Sequence, residues 1–142
     1  MMEPKLINCQ ADYTQVYMEV GSRLEDINFI RARECYIGAY SHWKSGQLAG
    51  KVEIGRFCRI GPKAKLGLEH HNTRNLSTSP FLSHLDSSSE YIGNALDKLV
   101  IDHDVCIEDN AIILSGISIG HGAVIRCGAI VTKDIPDRKS VV

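Results

Sequence analysis

The sequence predicts an all-β protein, a parallel β-helix that is interrupted by one long excursion loop. Aliphatic residues recur at every sixth position in two parts of the chain. Glycine often directly follows one of them, as at Gly55, Gly61, Gly67 and Gly120, and a second apolar or small residue stands four positions after most of them. A period of six matches neither the 3.6 residues of a helical turn nor the alternation of a long strand. The aliphatic residues at this spacing, called the beat positions, form two runs: Leu48, Ile54, Ile60 and Leu66, then Ile101, Ile107, Ile113, Ile119, Ile125 and Val131.

Each six-residue unit is interpreted as one short strand and one tight turn. The aliphatic residue enters the core, and the glycine or small polar residue forms the corner. Three units close a triangular coil of about eighteen residues, and stacked coils form a β-helix because each coil covers its neighbours. In a helix bundle or a β-sandwich, the six-residue spacing of these ten aliphatic residues would have to be a coincidence. The sequence therefore disfavours both alternatives.

The composition fits one domain that carries no strong electrostatic field. The chain has 142 residues, and 16 basic against 17 acidic residues leave a net charge of −1. A chain of this length can bury a core of its own, so we expect residues 1–142 to form a single hexapeptide-repeat domain. The balance of charge disfavours a nucleic-acid partner, and no apolar window approaches the roughly 18 residues of a membrane span.

The five cysteines are scattered, with neither the paired spacing of a zinc finger nor the even number of a disulfide framework. The first residues also show no apolar segment typical of a signal peptide. These observations predict a protein of the reducing cytoplasm. The cysteines mostly fall on or near inward positions of the repeat, Cys58 among them, and are interpreted as small core side chains.

Three segments make the repeat specific: IGAYSH at Ile37–His42, VEIGRFCRIG at Val52–Gly61 and GISIGHGAVIRCGAIVTKDIP at Gly116–Pro136. They resemble the hexapeptide repeats of left-handed β-helix acyltransferases over residues 35–136, with the best match in the xenobiotic acetyltransferases, which include chloramphenicol and streptogramin acetyltransferases. Periodicity alone leaves the handedness of the coil open, so the left hand is an expectation from this resemblance. The resemblance also implies a homotrimer with sites between neighbouring chains.

Two segments carry none of these motifs. Residues 1–30 show no readable chemistry, and HWKSGQ, which contains Trp43, is interpreted as a short insertion after the first recognisable coil.

The excursion loop, residues 67–99, is the candidate catalytic segment. The six-residue spacing is interrupted between Leu66 and Ile101, which are 35 positions apart, and loops of such length are usually functional or disordered. In the xenobiotic acetyltransferases this loop carries a histidine base, followed after five residues by Ser-Thr-x-Pro-Phe. His71 stands at that distance from the STSPF segment that begins at Ser77, and His70 takes the place of the usual asparagine. The resemblance therefore implies that His71 is the catalytic base. Without the match to the STSPF segment, the loop would be interpreted as a solvated polar segment.

The chemistry implied is direct acetyl transfer from acetyl-CoA to a hydroxyl group of a small molecule, such as an antibiotic, another xenobiotic or a sugar. The thioester is already reactive, whereas the acceptor hydroxyl needs a base. A neutral imidazole, whose ordinary pKa is about 6.5, can accept that proton at cytoplasmic pH. Backbone N–H groups of the coil turns are candidates to stabilise the oxyanion.

The cofactor positions also follow from the resemblance. In related acetyltransferases the CoA arm runs along the coils between two subunits, and the positions that match its contacts here are Asp109, Cys127, Thr132 and Lys133. A lysine near the phosphate end of the cofactor acts as a point charge. No metal is expected in this reaction.

Two other classes of function remain open. His103 and His121 are one coil apart and should stack on one side of the helix, which suggests a metalloenzyme like the γ-class carbonic anhydrases. No histidine pair in the chain has the five-residue spacing of those enzymes, so two surface histidines are the simpler interpretation. The third possibility is a non-catalytic β-helix that serves as a scaffold.

Overall fold

In a computed structural model the chain forms a parallel β-helix of about six coils. The structure describes residues 2–11, 14–70, 77–79, 81–82 and 97–142. Within these ranges lie fifteen strands, each pairing in parallel with its neighbours: β1 (Lys5–Ile7), β2 (Gln15–Met18), β3 (Arg23–Glu25), β4 (Ile27–Ile37), β5 (His42–Trp43), β6 (Gly46–Ile54), β7 (Arg59–Ile60), β8 (Ala64–Leu68), β9 (Leu99–Ile101), β10 (Cys106–Ile107), β11 (Ile112–Leu114), β12 (Ser118–Ile119), β13 (Val124–Ile125), β14 (Ile130–Val131) and β15 (Ser140–Val141).

The strands form three faces of the β-helix. Face 1 is the seven-stranded sheet β1-β3-β5-β7-β10-β13-β15. Face 2 holds the first halves of β4 and β6, then β8, β11 and β14, and face 3 holds β2, the second halves of β4 and β6, then β9 and β12. Coils 1 to 6 begin at β1, β3, β5, β7, β10 and β13. Corner 1 joins face 1 to face 2, corner 2 joins face 2 to face 3, and corner 3 leads into the next coil.

The residues at the predicted beat positions form the core of the protein. All ten aliphatic residues of the two runs are buried, with at most 2% of their surface exposed. The second position, four residues later, is buried as well, so the prediction of both inward rows is confirmed: Val52, Cys58, Ala64, Val105, Ala111, Ile117, Ala123, Ala129 and Ile135. Burying this apolar surface is the main favourable contribution to folding.

The glycine that follows a beat is required by the stacking of the coils. A methyl group at Gly55 would lie 2.7 Å from the carbonyl carbon and oxygen of Asp102 in the next coil. Gly38 faces the same restriction, because a methyl group there would lie 2.6 Å from the carbonyl of Gly55. A larger residue would force the coils apart at corner 3.

The β-helix also includes the N-terminal segment, in which the sequence showed no readable chemistry. Strands β1 to β4 belong to two further coils, in which Leu6 pairs with Leu24 and Val16 pairs with Cys35. Leu24 and Ile27 are buried in the same core as the regular beats. The β-helix therefore extends well before residue 35, where the motif resemblance begins.

Trp43 is a correction, because the segment around it is a regular strand and not an insertion. Its indole is fully buried and stands in register between Leu24 and Ile60 on face 1. Gly46 lies close to both the next coil and the ring, since a methyl group there would clash with the carbonyl oxygen of Ala64 and would lie 3.0 Å from Cζ2 of the indole. Trp43 therefore fills the beat position of coil 3.

The excursion leaves and rejoins the stack at corner 2 of coil 4. Leu48 pairs with Leu66, and Val52 pairs with Leu99, so residues 67–98 stand where coil 3 has only residues 49–51. Leu68 still pairs with Leu114 of the next coil. The excursion is thus inserted into one corner without removing any face of coil 4. In the part of the chain that is described, no helix is long and apolar enough to cross a membrane.

Candidate functional site

The predicted cofactor residues lie at two different corners of the β-helix. Asp109 and Cys127 occupy the same place at corner 1 of coils 5 and 6, where the N–H of Gly128 donates to the carbonyl of Asp109 at 3.0 Å. Thr132 and Lys133 lie at corner 2 of coil 6. All four side chains are exposed. The width of face 2 separates the two pairs, so one chain does not bring them together.

The predicted base, His71, lies outside the residues that the structure describes, as do Pro80 and residues 72–76 of the loop motif. The residues before it leave the stack at corner 2: Leu68 ends β8, and His70 is exposed. Corner 2 of coil 6, which carries Thr132 and Lys133, lies two coils further along the same edge. Coils stack roughly 4.8 Å apart, so about 10 Å separates the root of the excursion from these residues.

A carboxylate that sequence reasoning did not single out as a contact organises corner 1. Glu108 accepts a hydrogen bond from the backbone N–H of Cys127 at 2.8 Å and another from Nη1 of Arg126 at 3.0 Å. The Cys127 N–H, together with Arg126, lowers the pKa of Glu108. The charge of this acid is therefore offset by Arg126 at the corner that carries Asp109 and Cys127.

Corner 2 of coil 6 is held by a second carboxylate that the sequence did not flag. Oδ1 of Asp134 accepts a hydrogen bond from the backbone N–H of Ser118 in coil 5, at 2.9 Å. The N–H of Ile135 donates to the carbonyl of the same serine, also at 2.9 Å. These two bonds tie the turn that presents Thr132 and Lys133 to the preceding coil.

His103 and His121 stack at corner 3, as their spacing of eighteen residues predicts. Their ring centroids are 5.2 Å apart, with an interplanar angle of 21°. Nδ1 of His103 accepts a hydrogen bond from the N–H of Arg56 at 2.8 Å, and Nδ1 of His121 accepts one from the N–H of His103 at 3.1 Å. Asp137 continues the ladder by accepting from the N–H of His121 at 2.9 Å.

This ladder disfavours a metal site at the histidine pair. A neutral imidazole whose Nδ1 accepts a hydrogen bond carries its proton on Nε2, which then has no lone pair for a metal. Metal-bound histidines instead donate from the nitrogen that does not bind the metal. Among the residues in the described ranges, no group of three or more His, Cys, Asp or Glu side chains is arranged to hold a metal ion. The pair serves to satisfy backbone donors between coils.

Among the carboxylic acids in the described part of the chain, Glu19 has the most strongly lowered pKa, and it lies beside a surface cavity of about 500 Å³ at corner 3. Its carboxylate accepts hydrogen bonds from Nε and Nη2 of Arg56 at 2.8 and 3.0 Å, from the hydroxyl of Tyr36 at 2.5 Å and from the N–H of Ala39 at 2.8 Å. The bond from Arg56 first, then that from Tyr36, lowers the pKa of Glu19 to about 2. A carboxylate of this pKa is too weak a base to take a proton from a hydroxyl, so its role is structural.

Comparison with known proteins relates the chain to acetyltransferases. No protein-family model matches the sequence. A chloramphenicol acetyltransferase of Agrobacterium fabrum is 33% identical over 126 aligned residues, which cover 76% of this chain and 60% of the relative. A chloramphenicol acetyltransferase of Klebsiella aerogenes is 37% identical over 94 residues, or 60% of this chain and 44% of the relative. The chain thus spans about half of the length of these relatives.

Solved structures show the same fold. A hexapeptide-repeat acetyltransferase of Vibrio cholerae O1 biovar eltor, complexed with acetyl coenzyme A, matches with a TM-score of 0.71 and 19% identity over 92% of this chain and 67% of its own. The polySia-specific acetyltransferase NeuO matches with a TM-score of 0.67 and 22% identity over 94% of this chain and 58% of its own.

Both kinds of similarity agree with the motifs in the sequence. The prediction of a left-handed coil is confirmed, since the fold matches the left-handed β-helix acetyltransferases. The resemblance predicted from the hexapeptide motifs is confirmed too: the chain is a hexapeptide-repeat β-helix related to the xenobiotic acetyltransferases.

Proposed function

We propose that the protein transfers the acetyl group of acetyl-CoA to a hydroxyl group of a small molecule, with His71 as the general base. The observation that carries this proposal is the excursion, which replaces three residues of one corner by residues 67–98 while the coils on either side stay stacked. The sequence relatives are named acetyltransferases, and a structural neighbour is complexed with acetyl coenzyme A. Acetyl-CoA is therefore the proposed co-substrate, and a hydroxylated small molecule the proposed acceptor.

In the proposed mechanism both substrates bind together and the acetyl group moves in one transfer. His71 takes the proton of the acceptor hydroxyl, whose oxygen then attacks the thioester carbonyl. The C–O bond forms and the C–S bond breaks, so the CoA thiolate leaves and takes up a proton. Backbone N–H groups at the corners would stabilise the oxyanion, and Lys133 would pair with a phosphate of the cofactor as a point charge.

A shared site between copies of the chain reconciles the two separate halves of the predicted cofactor site. Asp109 and Cys127 flank face 2 on one side, and Thr132 and Lys133 flank it on the other. A cofactor that lies in the cleft between two neighbouring copies would contact corner 1 of one copy and corner 2 of the other. We therefore propose a homotrimer, in which a three-fold axis creates three such clefts.

Face 2 of coils 5 and 6 is the proposed contact surface of the trimer. One outward column of this face runs through successive coils, and its first four members are polar: Gln10, Asn28, Gln47 and Lys65. The next two members are Ile112 and Ile130, and Ile130 is 62% exposed. The apolar part of the column thus lies between the two predicted half-sites, where a second copy would cover it.

Replacing Ile130 by lysine is expected to convert the trimer to monomers, because a charge in a buried contact has no partner. Sedimentation velocity measures the change directly. Ile130→Leu keeps the apolar area and should keep the parent's sedimentation coefficient. A parent chain that sediments as a monomer would contradict both the trimer and the shared site.

The activity itself is tested by thiol release from acetyl-CoA in the presence of a panel of acceptors. Chloramphenicol, other hydroxylated antibiotics, sugars and matched amines are the members, and mass spectrometry of the product identifies the acetylated atom. We expect release with a hydroxylated acceptor. Acetyl-CoA binding without transfer to any acceptor, or no binding at all, would favour the scaffold alternative.

A further inference from the structure

We propose that Asp134 is a positioning residue that holds Thr132 and Lys133 in place for the cofactor. This inference rests on the proposed binding of acetyl-CoA at corner 2 of coil 6. Asp134 itself contacts the preceding coil and is assigned no contact with the cofactor.

The need for such a residue follows from the length of coil 6. Ile113 pairs with Val131, and Ile119 bridges to Ile135. These core positions are six residues apart in the sequence of coil 5 but only four apart in coil 6. Corner 2 of coil 6 is therefore two residues shorter, and only a single bridge remains of face 3 in this coil.

The shortening removes a backbone acceptor, and the Asp134 side chain replaces it. One coil earlier, Val100 is the register partner of Ser118, and its N–H donates to the backbone carbonyl of Ile117 at 2.9 Å. The equivalent N–H of Ser118 instead donates to Oδ1 of Asp134, at the same 2.9 Å. A side chain thus restores the ladder where the main chain is cut short.

This bond bears on the cofactor because the turn has few other ties. Val131 and Ile135 are buried and anchor its ends, whereas Thr132, Lys133 and Asp134 are exposed. Loss of the Asp134 acceptor would leave the C-terminal end of the shortened turn tied to coil 5 only through Ile135, whose N–H donates to the carbonyl of Ser118 and whose carbonyl accepts from the N–H of Gly120. The backbone of Thr132 and Lys133 would then lose its fixed geometry, and the cofactor would have to order it on binding.

Asp137 supplies a matched control at a different corner. Its Oδ1 also accepts a backbone N–H of coil 5, that of His121, at 2.9 Å and with the same spacing of sixteen residues. It lies at corner 3, away from every residue proposed to bind the cofactor. Asp134→Ala and Asp137→Ala therefore remove the same kind of bond, but only the first affects the proposed site.

The test is isothermal titration of acetyl-CoA into the parent, Asp134→Ala, Asp134→Asn and Asp137→Ala, together with the KM for acetyl-CoA. We expect Asp134→Ala to weaken binding about tenfold, which is about 1.4 kcal/mol, and to raise KM more than it lowers kcat. Asp134→Asn retains an oxygen acceptor and should bind within about twofold of the parent, as should Asp137→Ala.

The other outcomes overturn the inference in distinguishable ways. Equal weakening by Asp134→Ala and Asp137→Ala would mean a general loss of stability. Tighter binding by both Asp134 variants would mean that Asp134 acts only as a negative charge near the phosphates. Unchanged binding by Asp134→Ala, with a parent that binds acetyl-CoA, would refute the positioning role while the proposed function stands. A parent that does not bind acetyl-CoA would refute both.

Discussion

Replacing His71 by alanine is expected to slow acetyl transfer by about two or more orders of magnitude, the usual effect of losing a general base. The acceptor hydroxyl then has no group to take its proton, whereas the thioester is as reactive as before. Binding of acetyl-CoA should barely change, since the imidazole meets the acceptor and not the nucleotide. Steady-state rates with a competent acceptor and calorimetry with acetyl-CoA measure the two effects separately.

His70→Ala is the matched control, because it changes the neighbouring exposed histidine of the same loop. We expect a milder loss, through the geometry of the loop. The parent's rate should rise with pH and level off above the imidazole pKa, because only the neutral ring accepts a proton. If His70→Ala were the slower variant, the alignment of the loop motif would be wrong by one residue and His70 would be the base. Full activity in both variants would favour the scaffold alternative.

Replacing Trp43 by alanine is expected to reduce the free energy of unfolding by about 3–5 kcal/mol, as for other fully buried aromatic side chains. The indole is fully buried on face 1, in register between Leu24 and Ile60, and its removal leaves a cavity that the stacked coils cannot close. Denaturant unfolding at a fixed protein concentration measures the change.

Two further variants separate packing from other effects. Trp43→Phe keeps a ring and removes the indole N–H, which is buried and finds no acceptor among the residues that are described, so its cost should stay below about 1.5 kcal/mol. Phe57→Ala removes a ring that is 62% exposed and should cost less than about 1 kcal/mol. A Trp43→Ala variant as stable as Phe57→Ala would contradict the assignment of Trp43 to the core.

The regular part of the fold could be predicted because burial alone determines it. The ten beat positions of the two runs have aliphatic residues that neither a helical nor a strand period explains, and the row four residues later is apolar or small because it faces the same core. The N-terminal coils were harder to predict from the sequence, because the number of residues per coil differs from eighteen there. Leu24 pairs with Trp43 nineteen residues later, and Trp43 pairs with Ile60 seventeen residues later. Register shifts within β4, between Ile30 and Glu34, blur the period further.

Less of the candidate site could be predicted from the sequence, because its geometry depends on hydrogen bonds between coils. The motif resemblance points to Thr132 and Lys133, but the carboxylate that holds their turn follows only from the register of coils 5 and 6. Asp134 has no signal in the sequence, because Ile135 stands four residues after Val131 just as Ile117 stands four residues after Ile113. Only the bridge between Ile119 and Ile135 shows that the turn is short. Glu108 has no signal either, because its bond to the N–H of Cys127 reflects a turn geometry that composition does not encode.

The placement of the excursion at a single corner has a consequence for how proteins of this kind can diverge. Coil 4 keeps its partners on both sides, with Val52 against Leu99 and Leu68 against Leu114, so the stack does not depend on what the inserted segment contains. The entropy of closing such a segment changes by only about 0.6 kcal/mol for each doubling of its length. Mutation can therefore lengthen, shorten or rewrite the inserted segment while selection for stability acts almost entirely on the coils. If the proposed function holds, such changes would alter the surroundings of His71 and leave the coils that determine foldability as they are.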